Sequence, residues 1–158
     1  MERGEVWWAQ FDEERPLVLL QGGAGPEFRA MQIVEPATPA QKLGFVLMSG
    51  EQAVDVDERR RIVEEAGPDA VIGVEVSFGA EEGLAESGVV RVALPKDGKV
   101  FCTWSTAVSE ESLIKRIGTL SPAKQHELDV ALALAGYEWA RRMVNTPGGS
   151  ESDGFAEQ

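Results

Sequence analysis

Apolar and polar positions change period several times along the chain, and the changes cut it into short segments. Residues 5–11 (EVWWAQF) are aromatic and β-branched, the texture of a strand. Asp12-Glu13-Glu14 reads as a polar turn. Residues 16–21 (PLVLLQ) read as a buried strand opening on proline, residues 22–26 as a glycine-rich loop, and residues 28–35 (FRAMQIVE) as a third strand stopped by Pro36-Ala37-Thr38-Pro39. Residues 45–48 form a brief apolar run. Between Asp55 and Gly67 the period lengthens. Val56, Ile62, Val63 and Ala66 make a thin apolar stripe opposite a charged face, with Asp55 or Asp57 as the cap and Gly67-Pro68 as the stop. Strand patterning returns over 71–78 and, after an acidic glycine-rich loop, over 89–94. Asp97-Gly98 marks a hairpin turn, so residues 99–104 are expected to pair back. Residues 109–113 suggest one helical turn and 114–120 a further strand.

The last element has the strongest helical pattern. Ser121 is placed to cap it and Pro122 to start it, and Leu128, Ala131, Leu132, Ala135, Trp139 and Met143 recur every three or four positions. Beyond Asn145, Thr, Pro, Gly, Ser and acids predict a disordered tail over 146–158. The pattern therefore predicts one mainly-β domain over 1–145: six or seven short strands, a C-terminal helix and an acidic helical insertion at about 42–70. Sequential hairpins without a βαβ rhythm point to a mostly antiparallel barrel.

Composition adds little to that picture, but charge changes it. The 158 residues suffice for one domain with a sizeable core. No apolar run approaches a membrane span, and Met1-Glu2-Arg3-Gly4-Glu5 lacks the basic start of a secretion signal, so a cytoplasmic protein is expected. The single Cys102, among Val100, Phe101 and Trp104, reads as a small buried hydrophobe. The net charge is -12, unfavourable for a phosphate-binding surface. It is uneven: residues 51–90 hold 11 acidic and 3 basic side chains, whereas 91–120 hold 5 basic and 3 acidic.

Most site chemistries find no residues here. One histidine, His126, leaves no paired-His site and reads as a solvated helix residue. There is no CxxC spacing, no phosphate-binding GxxxxGK[ST] loop, and Gly22-Gly23-Ala24-Gly25 lacks GxGxxG spacing. The acids follow no familiar metal-ligand spacing, so neither metal nor cofactor is expected. Arginine, threonine and main-chain groups remain. They suffice for cleavage of RNA by its own 2′-hydroxyl, because the nucleophile is tethered beside the phosphorus and the protein need only align it and neutralise charge.

Four stretches, in order, resemble the PemK/MazF family. Arg3-Gly-Glu-Val-Trp-Trp-Ala is similar to its opening strand, and Arg15-Pro-Leu-Val-Leu-Leu to the following Arg-Pro-apolar run. Val34-Glu-Pro-Ala-Thr38 is similar to a strand end closing on threonine. Leu113-Ile-Lys-Arg-Ile-Gly-Thr-Leu-Ser-Pro122 is similar to the stretch before the terminal helix. Residues 81–90 also resemble the family's preceding loop and strand. The resemblance implies an SH3-like barrel that forms a homodimer. It implies metal-independent cleavage of single-stranded RNA to a 2′,3′-cyclic phosphate and a 5′-hydroxyl, as a toxin neutralised by a small acidic antitoxin. It implies Arg15 and Thr38 as catalytic residues. Thr103 and Trp104 fall where relatives carry a polar RNA-contacting pair, and Lys115 and Arg116 supply nearby cations; their alternation lets only one face a groove.

Each of these residues has a plainer reading. Arg15 alone is a loop-end arginine pairing with Asp12 or Glu13. Thr38 is a turn hydroxyl, Trp104 a core or rim residue, and Arg59-Arg60-Arg61 a solvated helix face. Trp7 and Trp8 point to opposite faces of their strand, one to the core and one to a dimer interface. Residues 51–66 have an antitoxin-like composition, so they fold over the chain's own groove, block a dimer face, or form an ordinary solvated insertion. The alternative function is a catalytically silent dimeric protein-binding module on the same barrel.

Overall fold

The computed structural model describes residues 2–10, 13–22, 27–43, 45–95 and 105–136. Alternating apolar residues build three consecutive antiparallel strands, β1 (Glu5–Gln10), β2 (Glu14–Gly22) and β3 (Glu27–Gln32). Val6 pairs with Val18 and Val18 with Met31, so one face of this meander carries a matched apolar row. The chain then makes a one-turn helix, α1 (Pro39–Lys42), strand β4 (Phe45–Ser49), and helices α2 (Gly50–Val54) and α3 (Val56–Ala66). Strands β5 (Val71–Phe78), β6 (Gly88–Ala93), β7 (Ser105–Ser109) and β8 (Leu113–Thr119) follow, and α4 (Pro122–Leu134) closes the described chain.

The strands form two sheets. The larger has the order β7-β3-β2-β1-β8 and is antiparallel throughout; the smaller has the order β4-β5-β6. They join where Val34, just past β3, exchanges backbone hydrogen bonds with Val89 of β6 at 2.9 and 2.7 Å. The main core lies between the sheets. Val6, Val18, Met31, Val74, Val76, Val90 and Val92 meet Leu128, Ala131 and Leu132 of α4 there. A second cluster, Ala9, Leu17, Leu19, Ala30 and Val108, lies on the other face of the large sheet under Trp7, Phe28 and Leu113.

Three features differ from the sequence reading. The pair β4–β5 is parallel and joined through helices, whereas the pattern showed no βαβ rhythm within a mostly antiparallel barrel. The capped helices α2 and α3 carry the chain back to its starting end, and a strand entered that way runs parallel. The third strand stops at Gln32 and survives beyond it only as the Val34 bridge. The helical turn near 109–113 is a single 3-10 turn at Glu110–Ser112, from which β8 begins. The expected cap assignments hold: Asp55 accepts from the Asp57 and Glu58 amides, and Ser121 accepts from the Lys124 amide with Pro122 at the first position. The strand expected over 99–104, Cys102, Trp139, Met143, and the 145/146 boundary with its tail lie outside the described residues.

The acidic insertion is structural. Ala53 is fully buried, and Ile62, Val63 and Ala66 pack on the main core. The charged side of α3 pairs internally. Arg61 meets Glu58 at 2.7 Å and Glu65 at 3.1 Å, Arg60 lies 3.8 Å from Asp57, and Arg59 donates to the Ala53 carbonyl.

Candidate functional site

Several segments converge beside the Val34–Val89 junction. Pro16, near the start of β2, pairs with Trp8 of β1, residues 33–35 leave β3, and residues 84–88 lead into β6. Between them lies a cleft of ≈ 440 Å³, whose lining includes the apolar residues Trp8, Pro16, Ile33, Val34 and Leu84 and the polar residues Glu14, Arg15, Glu35, Glu86 and Ser87. At Val34 and Glu35 it adjoins a compartment of ≈ 350 Å³ that also includes Pro36, Thr38, Gln41 and Arg91. Arg15 and Thr38 therefore border adjoining compartments, although 23 positions separate them in the chain.

Arg15 is exposed, and its Nη2 lies 2.6 Å from Glu13 Oε2, the ion pair that the plainer reading anticipated. Its cross-strand partner is Ala9, and alternation along β2 puts it on the Leu17 side, opposite Pro16 and Trp8, although it also borders the cleft. Thr38 caps α1 in a reciprocal box. Its Oγ1 accepts from the Gln41 amide at 3.1 Å, and its own amide donates to Gln41 Oε1 at 2.9 Å. This cap uses only a lone pair of the hydroxyl, so its proton is not spent on the cap.

The backbone before Thr38 is held from below. Glu75 Oε2 accepts from the Ala37 amide at 3.1 Å and from Arg91 Nη1 at 3.2 Å. The side chains of Arg91 and Glu75 are only 16% and 14% exposed. Breaking such a pair leaves an uncompensated charge in a dry site. Sequence reasoning counted Arg91 only among the basic residues of 91–116 expected to contact RNA, and gave Trp8 no cleft role. The available signal for Arg91 was one cation inside the otherwise apolar VVRVAL run.

The β1–β8 register resolves the neighbouring cations. Lys115 stands opposite Trp8 and Arg116 opposite Trp7. Cross-strand partners share a face, so Lys115 is on Trp8's side and Arg116 is on the other. Arg116 there lies 3.5 Å from Glu5, which also accepts from Trp7 Nε1 at 3.0 Å. Burial pushes the Glu5 carboxyl upward, but the Trp7 indole, a backbone contact with Glu2 and the Arg116 charge together hold it below its ordinary value. Both tryptophans are half-buried, Trp7 against the second apolar cluster and Trp8 in the cleft. Thr103 and Trp104 lie outside the described residues. Among the described residues, no three His, Cys, Asp or Glu side chains gather as a metal site, and no helix is long and apolar enough to cross a membrane.

No family model and no curated protein matches the chain. The solved structures similar to it include two mycobacterial proteins. One is an endoribonuclease in complex with its cognate antitoxin from a mycobacterial species, 12% identical, covering 85% of this chain and 91% of that one, with a TM-score of 0.46. The other is the Mycobacterium tuberculosis toxin MazF-mt6, 17% identical, covering 83% of this chain and 94% of that one, with a TM-score of 0.48. At such identities the site rests on this chain's own residues.

Proposed function

We propose that the chain is an endoribonuclease toxin of the PemK/MazF type that cleaves single-stranded RNA through its own 2′-hydroxyl. The observation that carries this reading is the placement of Arg15 and Thr38, the two residues singled out by family resemblance, on adjoining compartments of one cleft. In the proposed reaction the RNA 2′-oxygen attacks phosphorus and loses its proton to solvent. The bond to the 5′-oxygen breaks, leaving a 2′,3′-cyclic phosphate. The Arg15 guanidinium, released from Glu13, neutralises charge on the non-bridging oxygens. The Thr38 hydroxyl, held by its cap, donates toward the phosphate or the departing 5′-oxygen. Lys115, Thr103 and Trp104 would contact RNA, with Lys115 on the Trp8 side, whereas Arg116 on the other side pairs with Glu5. The reading includes metal independence, a cytoplasmic homodimer and control by a small acidic antitoxin.

The test is cleavage of a long single-stranded RNA in EDTA by the wild type and by Arg15→Ala. Cleavage by the wild type with cyclic-phosphate ends, lost in the variant, supports the reading; equal cleavage by both removes Arg15 from it. A second reading has its own observation: Glu13 pairs with Arg15, and Glu14, Glu35 and Glu86 line the same cleft. That lining favours a catalytically silent protein-binding module, and an absence of both RNA binding and cleavage would select it.

A further inference from the structure

The cleft lining conflicts with simple phosphate binding, since three carboxylates accompany one arginine. Its mixed lining resolves the conflict. Trp8, Pro16, Ile33, Val34 and Leu84 contribute apolar surface alongside the carboxylate residues Glu14, Glu35 and Glu86. A nucleobase has the same mixture, with flat apolar faces and a hydrogen-bonding edge. The cleft volume of ≈ 440 Å³ leaves room for one base with its sugar.

We propose that the cleft is a base-reading slot in which Trp8 stacks on one unpaired base and Glu35 and Glu86 read its edge. The inference rests on the RNA reading above and specifies its substrate preference. Ionised carboxylates only accept hydrogen bonds. Guanine offers two adjacent donors, N1–H and the 2-amino group, that match a carboxylate. Uracil offers one N–H between two carbonyl oxygens, which a carboxylate repels. The slot therefore selects guanine over uracil. The phosphate stays outside, toward Arg15, and Lys115 shares the Trp8 side. The acids thus serve specificity without contacting the backbone.

The experiment measures binding of short 2′-O-methyl uridine strands, which cannot be cleaved, with uracil, guanine or an abasic sugar at one central position. Wild type is expected to bind the guanine strand about tenfold or more tighter than the uracil strand, with the abasic strand weakest. Trp8→Ala should bring all three together, and Trp8→Phe, which keeps an aromatic face, should preserve the order. Glu35→Gln with Glu86→Gln should narrow the guanine–uracil gap and leave the uracil–abasic gap. Equal wild-type binding of all three strands overturns the slot while leaving RNA binding intact. An unchanged guanine–uracil gap in the glutamine variant overturns the carboxylate role. No binding of any strand overturns the RNA reading and the slot with it. The abasic comparison needs no variant and stands even where Trp8→Ala does not fold.

Discussion

Arg15 and Glu13 form an exposed ion pair at the mouth of the cleft, and exposed pairs are worth little in free energy. The pair nevertheless competes with any phosphate for the same guanidinium. Glu13→Gln is expected to raise RNA affinity by about threefold, the scale of one exposed pair, in an anisotropy titration. A fall in affinity would show that Glu13 orients Arg15 productively. Glu5 makes the opposite kind of contact, buried and multiply bonded. Its carboxyl is held below its ordinary value, so the folded state favours the charged form. The stability it contributes is present above the ordinary carboxylate range and is lost as pH falls through the lower folded value. Glu5→Gln should therefore cost most near pH 7 and progressively less in acid, as urea melts across that range would record.

Among the elements, the turn ahead of β6 and strand β8 approach so closely that each needs a glycine. A Cβ on Gly118 would lie 2.5 Å from the Glu82 carbonyl oxygen, and one on Gly83 2.5 Å from that of Ile117, where φ is also +91°. Gly118→Ala should cost about 1–3 kcal/mol by urea denaturation, the range for overpacking against rigid backbone. The α2–α3 insertion yields a sharper expectation. None of residues 50–66 lines either compartment, and the two helices form the crossover that makes β4 and β5 parallel. Deleting residues 51–69 should abolish cooperative unfolding and not release a hidden activity. A folded deletion protein with increased RNA cleavage would restore the lid reading of this segment.

Over the whole molecule, a net charge of -12 repels RNA at long range, so any binding rests on a few local cations. Binding through Arg15 and Lys115 should give a log-affinity against log-salt slope of about -1.4, as expected for two neutralised phosphates on a single strand. A flat salt response with retained binding would point to a protein partner. Strand texture, the Asp55 and Ser121 caps and the ordering of the elements were legible in the sequence, because each depends on neighbours a few positions apart. The short helices α1 and α2 were signalled too, by the Thr38–Gln41 and Ser49–Gln52 capping boxes, but a turn so brief leaves no periodicity to read. The 23-position spacing of Arg15 and Thr38 marked a candidate pair but not a shared cleft. Tertiary structure alone decided that Trp8 lines that cleft, that Arg91 and Glu75 hold the backbone before Thr38, and that Lys115 rather than Arg116 takes the Trp8 side. Those outcomes depend on which strand ends meet at the Val34–Val89 junction and on the β1–β8 register, contacts between residues far apart in the chain that no local pattern encodes.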